Sequence, residues 1–223
     1  MVKYLGNFKK IVLACVKKKW LASDPFVDFK FKKNKVKKLA LSSAELRRLE
    51  EKTFSIDRIS QVRDIFLFSC YTGLAYIDAK QLKSSDIGPG VDGELWILSS
   101  RQKTDGETNI PLLPKALEIL ATYRYHPQCQ NSGTVLPMLS NQKMNSYLKE
   151  IADLCGIEKP LTYHIARHTF ATTVTLVNKV PIETVSKLFG HASIKQTQDY
   201  AKIVEEKISE DMKALKRRLQ ETS

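Results

Sequence analysis

No apolar run in this chain approaches the roughly 20 residues that a membrane-spanning helix requires. Nor does it open on a secretory signal, because lysines interrupt its N-terminal stretch throughout. Cysteine is sparse: Cys15, Cys70, Cys129 and Cys155 are scattered, and none forms a C-x-x-C pair. That spacing argues against a zinc knuckle and against a disulfide framework, and it suits a reducing cytoplasm. There is no internal repeat, no low-complexity tract, no P-loop and no evident Asp/Glu metal cluster. These absences set aside membrane proteins, stapled secreted domains and nucleotide-driven machines.

Positive charge is what the chain has in excess, at a net +12 over 223 residues. Its distribution says more than its size. Residues 1–38 hold twelve lysines against only Asp24 and Asp28, so +10 of the charge lies there and the rest of the chain carries +2. A basic segment beside a near-neutral body reads either as an arm lying along phosphates or as a solvated tail.

Patterning predicts a helix over 4–21, with Phe8, Ile11, Val12, Cys15, Val16 and Leu21 as an apolar stripe. It is too short to fold alone and reads as the last helix of a larger unit, so a longer parent is expected. Asp24-Pro25 ends it, and 25–38 reads as an extended basic linker. Ser42 and Glu45 have capping-box spacing and open a helix to about residue 53. A strongly apolar helix over 56–72 stops at Thr72-Gly73. Strands at about 94–101 and 108–113 form a hairpin across Thr104-Asp105-Gly106. The remainder predicts helices at 114–125, 141–156, 162–178, 182–189, 193–203 and 205–220. The expected class is α+β and mainly α, a helical fold with one small antiparallel sheet.

Three of the four histidines fall in the C-terminal third. A helix capped by Thr162 puts His164, Arg167 and His168 at i, i+3 and i+4, on one face. Two such histidines resemble half a zinc site, but Ile165 stands where a metalloprotease helix needs its glutamate base. An anion site fits this set better, since a guanidinium fork matches phosphate oxygens. Leu188-Phe189-Gly190-His191 follows, and Tyr200 comes nine residues after that histidine.

His164-Ile165-Ala166-Arg167-His168, then Phe189-Gly190-His191, then Tyr200, with Tyr71-Thr72-Gly73-Leu74 upstream, resemble the tyrosine recombinases, the phage-type integrase family. The resemblance runs from about residue 39 onward and implies that family's helical catalytic-domain fold. Residues 1–38 resemble the end of its core-binding domain and the basic interdomain linker. Residues 39–223 then correspond to the catalytic domain, with an exchange helix from about 205. The resemblance implies that Tyr200 attacks the scissile phosphate and forms a 3′-phosphotyrosyl link. Arg167 and His164 would hold the non-bridging oxygens, and His191 would add a hydrogen bond there. Lys103, beside the hairpin turn, would protonate the departing 5′ oxygen, while His168 would support or pack behind the others. Lys30, Lys32, Lys33, Lys35, Lys37 and Lys38 would follow the DNA backbone.

Those residue types suit that chemistry. A phenol, with a pKa of about 10, needs cations nearby to act as a nucleophile at neutral pH. Charge building on phosphate oxygens calls for fixed donors, and a poor alkoxide leaving group calls for an acid. No metal and no cofactor is expected. The expected partners are double-stranded DNA and further copies of the chain, as a tetrameric synapse without a membrane, in a bacterial cytoplasm at the nucleoid. Ile208, Met212, Leu215 and Leu219 form a stripe that would dock on a neighbouring protomer or on its own domain.

One position departs from the family pattern: Ala75 follows Thr72-Gly73-Leu74, where the family carries arginine. Arg101, two residues before Lys103 on the same strand face, is the first candidate to replace it, and Arg63 the second. Three other readings stand beside recombination. They are an inactive integrase relic that only binds DNA, type IB topoisomerase-like relaxation, and a regulator using 162–189 as a helix-turn-helix.

Overall fold

The computed structural model describes residues 2–29, 39–100, 107–191 and 193–201, together with 212 and 220. The chain divides between Lys37 and Lys38 into two units. In the first, α1 spans Val2–Lys17. Of the apolar stripe predicted there only Val12 is buried, while Phe8 and Ile11 are exposed. The helix stops short of the predicted residue 21, and residues 25–29 turn where an extended linker was expected. Lys19 takes a left-handed φ of 59°, and Asp24 accepts a hydrogen bond from the Phe26 amide at 2.8 Å. Phe26 then meets Phe8 edge-on at 5.9 Å, and Lys9 donates to the Phe26 carbonyl at 3.0 Å. Aromatic contact plus an Asx-type turn outweighs the linker-like composition of 25–29. The basic residues 30–38 lie outside the described residues.

The second unit begins with two anchored residues. Lys159 donates to the Ala40 carbonyl at 2.9 Å and also pairs with Glu45. The Leu41 amide donates to the Thr169 hydroxyl at 3.0 Å, and the Leu41 carbonyl accepts from Thr173. Helix α2, Ser43–Glu51, starts with the predicted reciprocal capping box of Ser42 and Glu45. Helix α3, Asp57–Thr72, is the core's axis: Ile59, Val62, Ile65, Phe66, Leu67, Phe68 and Cys70 are all buried. A helix apolar on nearly every side belongs in the middle of a fold. It ends in Gly73 at φ 71°.

A short helix α4, Tyr76–Gln81, and a single 3₁₀ turn, Ser84–Asp86, lead into the sheet. Three strands, β1 (Ile87–Pro89), β2 (Leu95–Ser100) and β3 (Glu107–Pro111), pair antiparallel in that order. Ile97 lies opposite both Ile87 and Ile110, and buries its side chain with that of Ile110. Helices α5 (Pro114–Tyr123), α6 (Pro127–Ser132) and α7 (Asn141–Leu154) then cover the core.

The stretch predicted as one helix over 162–178 is two structures in series. Helix α8 spans Tyr163–Thr169 and passes directly into a π-helical segment, Phe170–Leu176. Thr162 occupies the N-cap position but makes no side-chain cap bond; the Tyr163 amide is met instead by Asn145 of α7 at 2.8 Å. Helices α9 (Ile182–Leu188) and α10 (Lys195–Ala201) complete the described chain. Phe170, Ala171, Leu176, Val185, Phe189 and Tyr200 form a second apolar cluster apart from the main core. Among the described residues no helix is long and apolar enough to cross a membrane.

Candidate active site

Helix α8 sorts its three cationic residues by depth. His164 is exposed, whereas Arg167 and His168 are buried. A buried guanidinium needs partners, and Arg167 has them on two sides. Its Nη1 donates to the Gly73 carbonyl at 2.7 Å and its Nη2 to the Phe189 carbonyl at 3.3 Å. Its Cζ also lies 3.9 Å from the centre of the Phe189 ring. The arginine is thus clamped between the end of α3 and the end of α9.

Tyr200, on α10, is 5% exposed and sits against the same phenylalanine, ring centres 5.7 Å apart. His168 approaches it at 5.0 Å and His191 lies parallel to it at 6.4 Å. The His164 ring is in turn 4.6 Å from that of His168. Two routes therefore join the exposed end of α8 to the phenol: His164 to His168 to Tyr200, and Arg167 to Phe189 to Tyr200. His191 Nδ1 is 2.7 Å from the Thr197 hydroxyl. Three residues that the sequence spreads over 168–191, His168, Phe189 and His191, converge on the Tyr200 ring, in the presence of Arg167.

Beside them opens a cleft of about 350 Å³ lined by Ala75, Asn141, Asn145, His164 and Arg167 among others. Ala75 is the N-cap residue of α4 and faces this cleft. The position where the family carries an arginine therefore borders the same space as Arg167. Arg63 does not reach it. Its Nε pairs with Asp64 at 2.6 Å, its Nη1 donates to the Leu49 and Lys52 carbonyls, and its guanidinium covers Phe54. Ten residues before Gly73 on α3, it stands about 15 Å along the helix from the clamp, so its charge is committed elsewhere. Arg101 and Lys103 lie outside the described residues.

Other tyrosines are held as phenols. Burial, and then the Glu50 carboxylate that accepts its proton, push Tyr71 above the ordinary tyrosine range. Burial and Asp64 do the same to Tyr123, whose hydroxyl donates to Asp64 at 2.8 Å. Burial likewise raises Tyr163. Among the described residues no three His, Cys, Asp or Glu side chains gather as a metal ion would require.

Sequence reasoning missed the supporting parts. Phe189 is the shared platform, Gly73 supplies an arginine acceptor through its backbone, and Thr197 holds His191. Phe189 and Gly73 stand within the motifs already quoted, but nothing there shows these roles; Thr197 shows only as a hydroxyl three residues before Tyr200 and so on its helix face. Gly73 is irreplaceable for two reasons. Its φ of 71° disfavours a Cβ, and a Cβ built there would stand 2.5 Å from Phe170 and 2.6 Å from Phe189. Gly73→Ala is expected to cost about 3 kcal/mol from overpacking and left-handed strain together. In a chain of this size that lowers the thermal midpoint by roughly 6–12 °C, readable by calorimetry. An unchanged midpoint would contradict the packing described.

The phage integrase family model matches residues 54–207. Tyrosine recombinase XerD of Listeria innocua serovar 6a is 33% identical over 143 residues, covering 59% of this chain and 46% of that protein. The chain thus spans about half the length of the curated relatives it matches. Among solved structures, a lambda integrase fragment, a dimer bound to a COC′ core site, superposes with a TM-score of 0.69 at 18% identity. That match covers 87% of this chain and 70% of the other. XerA recombinase gives 0.63 at 21% identity over 96% of this chain and 83% of its own. These two structures share the fold described above.

Proposed function

Because the chain belongs to the phage integrase family, we propose that it breaks and rejoins double-stranded DNA at defined sites through Tyr200. One observation carries this reading. The buried phenol of Tyr200 is flanked by His168 and His191 and shares Phe189 with the Arg167 guanidinium.

In the proposed reaction a phosphate enters the cleft beside Ala75, where Arg167 and His164 meet its non-bridging oxygens. Tyr200 gives its phenolic proton to a neighbouring imidazole as its oxygen bonds to phosphorus and the bond to the 5′ oxygen breaks, and Lys103 delivers the proton that oxygen needs. His191 donates a further hydrogen bond as charge builds. The tyrosyl ester keeps the bond energy of the broken phosphodiester, so the 5′ hydroxyl of a second DNA end displaces the tyrosine and reseals the strand without ATP. No step is assigned to a metal. Lys30, Lys32, Lys33, Lys35, Lys37 and Lys38 follow the backbone of the same duplex, with a salt-dependent contribution to affinity. Residues 1–38 serve DNA clamping, 39–223 the chemistry. Synapsis brings four copies together on DNA at the bacterial nucleoid, each lodging its Ile208–Leu219 stripe on a neighbour.

The experiment is trapping on a nicked suicide duplex, followed by mapping of the modified peptide. An adduct on Tyr200 is expected. No adduct, or one on another residue, refutes the reading and leaves a basic DNA-binding protein. Joining of two sites in the same assay, against relaxation alone, separates recombination from topoisomerase-like turnover.

The charge missing at Ala75 is assigned to Arg101. Arg101→Ala is expected to slow cleavage about a hundredfold, the worth of one fixed donor. Adding Ala75→Arg should then recover most of that rate, because the new side chain enters the cleft that Arg167 lines. If Arg101→Ala cleaves at the parental rate, this assignment fails.

A further inference from the structure

Thr197 has no part in the chemistry above, yet its side chain is fully buried and lies 2.7 Å from His191 Nδ1. We propose that Thr197 is a positioning residue that fixes which nitrogen of His191 is turned outward as a hydrogen-bond donor. This rests on the reading of His191 as a group that meets the scissile phosphate.

An imidazole ring turned over about its last torsion fills almost the same space, so packing alone chooses poorly between its nitrogens. Tyr200 lies parallel to the His191 ring at 6.4 Å and Phe189 lies tilted to it at 5.2 Å, and neither ring contact carries a polar atom to distinguish Nδ1 from Nε2. The Thr197 hydroxyl does, because it bonds Nδ1 and so sets which edge of the ring faces α10 and which faces away from it. A hydroxyl is also the one partner that serves both charge states. It can donate to a bare Nδ1 in the neutral ring, or turn and accept from Nδ1–H in the imidazolium. When the hydroxyl donates to the neutral ring, and whenever the ring is an imidazolium, Nε2 carries a proton and is a donor. Valine, of the same shape, offers neither interaction.

Placement gives this bond a second consequence. Thr197 and Tyr200 lie on α10 at i and i+3, on one face, whereas His191 precedes that helix. Seating α10 therefore delivers the nucleophile and orients the histidine in one movement, and a helix that is not seated supplies neither.

The test uses the full chain with Thr197→Val and Thr197→Ser, alone and combined with His191→Ala. Loss of one oriented bond is expected to slow covalent adduct formation on nicked duplex about tenfold in Thr197→Val, with DNA affinity unchanged. Thr197→Ser should return to within about threefold of the parent, since the hydroxyl is restored. In the His191→Ala background Thr197→Val should add nothing, because the group it orients is gone. Nitrogen-15 spectra of the histidine-labelled parent should show His191 protonated at Nε2, and Thr197→Val should show a mixture of tautomers.

A rate loss that persists in full in the His191→Ala background overturns the proposal, as does a neutral His191 carrying its proton on Nδ1. If Thr197→Val fails to fold, the serine variant and the parent spectrum still decide. If no adduct forms at Tyr200 in the parent, the reaction itself has been misread, and the spectra report on the hydrogen bond independently.

Discussion

Tyr200→Phe is expected to yield a folded, DNA-binding protein that forms no covalent adduct on a nicked duplex. The substitution removes one oxygen and keeps the ring that packs on Phe189, His168 and His191. Stability should therefore fall by only about 1 kcal/mol, the usual net worth of a buried hydroxyl. The chemical effect is total, since no other atom of residue 200 can esterify phosphorus. Tyr123→Phe is the informative control. Its phenol is bound to Asp64 and pushed up by burial and that carboxylate, so adduct formation should survive its loss. Adduct yield by denaturing gel, with thermal midpoints for both variants, gives the answer. An adduct persisting in Tyr200→Phe would end the assignment of the nucleophile.

Arg167→Lys is expected to lower the cleavage rate by roughly a hundred- to a thousandfold, the range for one preorganised donor at a centre where charge develops. It conserves charge, so affinity for DNA should change little. What it loses is shape. The guanidinium spans the carbonyls of Gly73 and Phe189 while its Cζ lies 3.9 Å from the centre of the Phe189 ring. An ammonium is a point charge that cannot do all three. Leaving one carbonyl unpaired should also cost about 1–3 kcal/mol of stability, seen as a lower urea midpoint. Single-turnover cleavage beside binding isotherms separates the two effects. Parental cleavage by Arg167→Lys would mean that the clamp is structural and not part of the site.

Spacing made the centre of this molecule readable, because H-x-x-R-H, G-H and a tyrosine nine residues later are local patterns. The capping box of Ser42 and Glu45 and the all-round apolar α3 are local too, and both stand as read. Short or interrupted elements did not show. Strand β1 is Ile87-Gly88-Pro89, with two residues that ordinarily argue against a strand, and α4 and α6 are six residues each, too brief for a helical period. The π-helical segment keeps its apolar pattern, since over seven residues a wider turn scarcely shifts which positions face inward. The clamp on Arg167 is tertiary: Gly73 lies 94 residues away in sequence, and its carbonyl carries no side-chain signal. The turn at 25–29 depends on Phe8, beyond the reach of its own composition.

The way Leu41 is fastened bears on how the rest of the chain pulls on this centre. Its backbone is gripped by Thr169 and Thr173, one at the last residue of α8 and the other in the π-helical segment. A tether made of two hydroxyls gives way more readily than a strand ladder. It is tied two residues beyond Arg167 and three beyond the last lysine of the basic stretch. Any displacement of the Leu41 backbone is therefore passed to the helix that carries Arg167 and to the π-helical turn behind it, through two hydroxyls alone.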